Sequence, residues 1–205
     1  MDTLILKKKN EVYITVDCDP NIQREISEFF TFYVPGYKFM PAFRNRMWDG
    51  KIRLYSQKTK EIYFGLFPYI RAFAEERGYN IVSEEGVEVN NKVDKDVVKK
   101  FSNSLGQKFE ARDYQIDAIY HSLKFNRSLL LSPTASGKSF IIYSLIRYYT
   151  HLIKDAPNNR ILLIVPTTSL VEQMYSDFES YGWNVKKNCH RLYSGYSNQT
   201  DKKVL

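Results

Sequence analysis

Apolar and polar residues alternate with period two over residues 3–8 and again over 11–17, which predicts a hairpin turning at Lys9-Asn10. Asp19-Pro20 then supplies a helix cap and a first-turn proline, and Ile22, Ile26, Phe29 and Phe30 follow at helical spacing. Between residues 39 and 54 the apolar positions Phe39, Phe43, Trp48, Ile52 and Leu54 read as the inner face of a small sheet that turns at Asp49-Gly50. Residues 61–67 predict a strand, 68–77 a helix ended by Gly78, and 79–83 a closing strand. Together these form a small α+β unit over residues 1–84.

Past a polar stretch the rhythm changes. Residues 94–105 predict a helix ended by Gly106, so 85–108 read as a linker containing one helix. Helices are then expected over 113–124, 138–154 and 167–181, alternating with strands over 128–131, 161–165 and 184–193. The run Ile161-Leu162-Leu163-Ile164-Val165 is apolar throughout, as suits a parallel strand covered on both faces. Residues 109–205 are therefore expected to be an α/β unit with a parallel sheet.

Charge changes the picture at one place. The chain of 205 residues carries a formal +7. Between residues 38 and 60 the cations Lys38, Arg44, Arg46, Lys51, Arg53, Lys58 and Lys60 meet the single acid Asp49. Cations this dense, interleaved with aromatics, suit a polyanion whose phosphates they neutralise and whose bases the rings stack on. Arg44, Arg46, Trp48, Lys51 and Arg53 are the candidate nucleic-acid contacts. The lone cysteines Cys18 and Cys189 and the scattered His121, His151 and His190 indicate neither a disulfide framework nor a zinc site. No apolar run approaches membrane-spanning length, so a soluble cytoplasmic protein without a membrane partner is expected.

The most specific chemistry lies at Ser132-Pro133-Thr134-Ala135-Ser136-Gly137-Lys138-Ser139, between an apolar run and a helical pattern. This is the order of a phosphate loop: backbone amides cradle the phosphates, Lys138 reaches the β and γ oxygens, and the Ser139 hydroxyl ligates Mg2+. Gly137 admits a close backbone approach, and the following helix aims its positive end at the anion. The pattern's first glycine is Ser132 here. The nucleotide-binding set is thus Pro133, Thr134, Ala135, Ser136, Gly137, Lys138 and Ser139, with Lys138 the catalytic candidate.

Three signals occur in order: Arg112-Asp113-Tyr114-Gln115, the phosphate loop, and the Pro166-Thr167-Thr168 segment running to Gln173. Together they resemble the adenine-reading motif, motif I and motif Ia of superfamily 2 helicases. The run from Phe39 to Leu54, with its Trp48-Asp49-Gly50 core, resembles the DNA-binding domain of phage recombination helicases of the UvsW kind. The resemblance implies a RecA-like motor domain and the use of ATP and Mg2+. It implies that Arg112 stacks on adenine, Gln115 bonds its edge, and Thr167, Thr168 and Gln173 meet the DNA backbone. It also implies ATP-driven remodelling of DNA in phage replication, recombination and repair, by a monomer acting on branched, single-stranded or double-stranded DNA or on RNA–DNA hybrids. No apolar strand after the loop runs into the Asp-Glu pair that such a motor needs. Residues 109–205 are therefore expected to be the first part of the motor domain, and this stretch alone is expected to be inactive in hydrolysis. Two other readings stay open: a different P-loop phosphoryl-transfer enzyme, and a non-catalytic DNA-binding module with a vestigial loop.

Overall fold

The computed structural model describes residues 2–87, 91–197 and 199–205, and the chain divides into two compact units, residues 1–89 and 90–205. In the first, β1 (Thr3–Lys8) and β2 (Tyr13–Asp17) pair antiparallel with Leu6 opposite Val16. The Asn10 side chain makes the turn by accepting from the amides of Val12 and Tyr13, each at 2.8 Å. Both strands bury alternate residues, so Leu4, Leu6, Ile14 and Val16 share one face. Helix α1 (Pro20–Phe29) starts at Asp19, whose carboxylate accepts from the Asn21 amide at 2.8 Å. It presents Ile22 and Ile26 to that face.

A short ribbon of β3 (Thr31–Tyr33) and β4 (Lys51–Arg53) flanks the one-turn helix α2 (Pro41–Arg44). After it come β5 (Tyr55–Ser56), β6 (Glu61–Tyr63), α3 (Phe67–Arg77) and β7 (Asn80–Ser83). The main sheet has the order β5-β6-β2-β1-β7, with β7 parallel to β1 and the other pairs antiparallel. Two sequence readings need correction. The strand at 61–67 stops at Tyr63, because residues 64–66 tighten into a 3-10 turn that leads into α3. Residues 39–54 are not one inward-facing sheet. Pro41, in the first turn of α2, interrupts the alternation, and Phe39 and Ile52 stand exposed.

In the second unit α4 (Lys95–Asn103) is capped by Asp94, which accepts from the amides of Asp96 and Val97. It packs on α5 (Asp113–Phe125), which packs on α6 (Lys138–Leu152). α7 (Thr168–Ser180) and the short α8 (Val185–Asn188) follow. Ile116, Ile119, Phe140, Tyr143, Ile146 and Phe178 are the centre of this core. The Tyr143 hydroxyl donates to the Leu105 carbonyl at 3.1 Å and accepts from Arg147 at 2.5 Å, while burial raises its pKa.

Parallel pairing in this unit centres on Val204, which bridges Ile161 on one side and Cys189 on the other. The Ile161 amide donates to the Lys203 carbonyl, and the Leu205 amide donates back to Ile161, both at 2.8 Å. The unit is α/β with parallel pairing, but three strand expectations change. Residues 128–131 form no strand, and Leu129 and Leu131 are 83% and 89% exposed. The run 161–165 pairs at its start and is covered on one face, leaving Leu162 and Ile164 in solvent. Residues 184–193 break into α8 and a bridge at Cys189, because the Asn184 side chain caps a helical turn by accepting from the Lys187 amide at 3.1 Å.

Among the described residues no helix is long and apolar enough to cross a membrane. None of their His, Cys, Asp and Glu side chains form a group of three able to hold a metal ion.

Candidate nucleotide and nucleic-acid sites

The loop 132–139 enters α6 through Gly137, whose φ is +79°. That left-handed backbone favours glycine, and a Cβ there would push aside the end of the Gln115 side chain. Ala135 also lies in the left-handed region, at φ +63°. That conformation is uncommon outside glycine and is of a kind that recurs at ligand clamps. The cap position is glycine, so no side chain bonds the first-turn amides of α6 at the positive end of the helix, while the Phe140 amide donates to the Gly137 carbonyl at 3.0 Å. Ser139 stands in that first turn, where its hydroxyl could ligate a metal. Lys138 folds back over the loop, donating to the carbonyls of Pro133 at 2.7 Å and Ser132 at 3.2 Å. The Ser132 and Ser136 hydroxyls bond to each other across the same loop.

The start of α5 is tied to this loop. Gln115 is buried; its side-chain oxygen accepts from the Arg112 amide at 3.0 Å and its nitrogen donates to the Ser136 carbonyl at 3.2 Å. The Tyr114 hydroxyl donates to the same carbonyl at 2.9 Å and accepts from the Arg112 guanidinium at 3.1 Å. Two motifs about twenty residues apart therefore meet at one carbonyl. A groove beside them is lined by Tyr114, Ala118, Ile141 and the loop residues Ser132 to Ser136. Tyr114 was not singled out by sequence reasoning, although it lies inside the quoted motif.

Thr167 caps α7, its hydroxyl accepting from the Leu170 amide at 3.3 Å, and Thr167, Thr168 and Gln173 are all exposed. Glu172 on the same helix is turned to structural use. Its carboxylate accepts from Arg191 at 2.6 Å and from the Tyr193 hydroxyl, and these bonds hold its pKa below the usual value, the tyrosine contributing most.

In the amino-terminal unit, Arg44 and Arg46 are exposed and pair with no carboxylate among the described residues. Arg53 does not share that freedom: it is paired with Asp49, whose pKa is lowered by the contact. Lys51 lies over the Tyr33 ring at 4.9 Å, and the Trp48 indole donates to the Lys51 carbonyl at 2.9 Å. The five sequence candidates thus divide into two free cations, two engaged cations and one anchored ring.

Comparison with known proteins matches residues 4–84 to the family described as DNA helicase UvsW, N-terminal. Residues 108–205 match the family described as type III restriction enzyme, res subunit. The ATP-dependent DNA helicase uvsW of Enterobacteria phage T4 is 36% identical over 174 residues, covering 82% of this chain. The chain belongs to the UvsW helicase family. It spans 34% of the length of that UvsW relative. Two crystal structures of the T4 UvsW helicase superpose on the whole chain. One is 29% identical with a TM-score of 0.84 and is covered over 73% of its own length. The other is 30% identical with a TM-score of 0.85 and is covered over 42%. The UvsW match gives the second unit its place as a RecA-like superfamily 2 motor domain.

Proposed function

We propose that the chain binds ATP with Mg2+ through Pro133 to Ser139, with Arg112 and Gln115 at the adenine. It grips DNA through Arg44, Arg46 and their neighbours and through Thr167, Thr168 and Gln173. It does so as part of an ATP-dependent helicase or translocase that remodels branched DNA or RNA–DNA hybrids in phage replication, recombination and repair. The observation that carries the reading is the shared Ser136 carbonyl, where the adenine motif and the phosphate loop are hydrogen-bonded together.

The residues fit a triphosphate. The loop turns through a left-handed Gly137 that a Cβ would crowd against the Gln115 side chain, and the first-turn amides of α6 carry no side-chain cap. Ser139 and the nucleotide would hold magnesium, which would supply charge neutralisation at the phosphate oxygens. Lys138 exchanges two neutral carbonyl acceptors for phosphate oxygens, and charge on both partners makes the new bonds stronger. Gln115 already spends both ends of its amide on backbone. Each end still keeps a second donor or acceptor position for the base edge, so the bond from Gln115 to the Ser136 carbonyl couples adenine recognition to the position of Ser136.

Titration with a fluorescent ATP analogue and magnesium tests the reading. Saturable uptake, competed by ATP better than by GTP and weakened at least tenfold by Lys138→Ala, is expected. No uptake by the wild-type chain would overturn it.

A further inference from the structure

Beside the free arginines the amino-terminal unit carries an open cleft of about 590 Å³, lined by Phe43, Arg44, Arg46, Met47, Trp48 and Asp49. Its size lies within the roughly 300–1,000 Å³ typical of small-molecule clefts. From this juxtaposition we infer that the cleft is a stacking site for an unpaired nucleobase, with Arg44 and Arg46 on the flanking phosphates. The inference rests on the DNA-binding reading above and goes further in naming the unit recognised.

The aromatic walls are held before any ligand arrives. The Trp48 ring is fixed by its bond to the Lys51 carbonyl. Phe43 meets Tyr37 edge to face at 4.7 Å, and Tyr37 stacks on Tyr33 at 4.7 Å. Gly50, at φ +78°, lets Tyr37 close in, since a Cβ there would strike its ring. A wall positioned in advance loses little side-chain entropy on binding.

The rim supplies the rest of the chemistry. Met47 is 73% exposed, a large apolar side chain left in water at the mouth of the cleft. Asp49 would repel a phosphate, but Arg53 neutralises it. Arg44 and Arg46 keep their full positive charge for an anion. Apolar faces bounded by free guanidinium groups match a base between two phosphates, because every base has a π face and no sequence is specified. A paired base hides its faces in the duplex stack, so duplex DNA can use the arginines and not the rings.

The test measures affinity of the full chain for a labelled deoxythymidine oligomer, an abasic strand of equal length and a blunt hairpin duplex, each over a range of salt. The oligomer is expected to bind about tenfold more tightly than the abasic strand. Met47→Ser and Trp48→Ala should shrink that ratio severalfold with abasic binding unchanged. Arg44→Ala with Arg46→Ala should weaken both strands alike and flatten the salt slope. Trp48→Ala is accepted only if its circular dichroism is native. In a Trp183→Phe background the sole remaining tryptophan, Trp48, should be quenched by the oligomer and not by the abasic strand. A ratio that neither cleft substitution moves, or a Trp48 signal that ignores the base, overturns the cleft and leaves phosphate binding standing. Absence of salt-sensitive binding to any of the three nucleic acids overturns the DNA reading with it.

Discussion

The two units treat the same kind of apolar sequence differently. In the amino-terminal unit Leu4, Leu6, Ile14, Val16 and Ile62 are completely buried, because each lies on a strand paired within a five-stranded sheet and covered by α1 and α3. In the second unit Leu129 and Leu131 are no less apolar, yet they stand in solvent on a segment without a ladder. There the helices α5, α6 and α7 hold the core, and the parallel bridges at Val204 add a narrow floor. Apolarity therefore marks where a strand can be buried, and pairing into a sheet covered by helices decides whether it is.

The sharpest way to break the comparison is to shorten one leucine from each unit. Leu6→Ala should cost about 2–5 kcal/mol, the cost of a core cavity, whereas Leu131→Ala should stay within about 0.5 kcal/mol. Urea unfolding followed by tryptophan fluorescence can separate the two, because Trp48 lies in the first unit and Trp183 in the second. Equal losses would contradict the contrast.

The two constrained glycines come next. Gly50→Ala should destabilise the first unit by about 1–3 kcal/mol, from the left-handed backbone and the collision with Tyr37 together. Gly137→Ala meets only the end of a flexible glutamine side chain. It should cost less stability and fall mainly on nucleotide affinity, read by the same titration that tests Lys138. A Gly137→Ala chain that binds the analogue normally would detach Gln115 from the site.

A smaller effect concerns the Glu172 cluster of the second unit. Its folded pKa lies below the ordinary 4.5, so its contribution is fully present above that value and is lost as pH falls through the folded pKa. Glu172→Gln should therefore lower stability at pH 7 slightly and flatten the loss of stability below pH 4.5. An acid-unfolding profile identical to wild type would remove the cluster from the account.

Local signals were legible where one residue decides the geometry. Asp19, Asp94 and Thr167 cap the helices expected after them, and Gly78 ends α3 in the left-handed conformation. What depends on distant partners was not. Nothing in Leu129 to Leu131 tells a reader whether a neighbouring strand lies alongside, and β3 was invisible because three residues carry no period. Asn184 shows a local rule defeating a pattern, since its side chain turned an expected strand into α8. At the candidate site the phosphate loop and the Arg112 to Gln115 motif were both readable. Their meeting at the Ser136 carbonyl was not, because sequence separation says nothing about which backbone oxygen a buried amide finds.

The central claim, that these two segments form one nucleotide site, is tested most directly by amide hydrogen exchange with and without a magnesium–ATP analogue. The account predicts that residues 132–139 and the first turn of α5 gain protection together, and that Lys138→Ala abolishes both changes. Protection of the loop alone, or of neither segment, would contradict it.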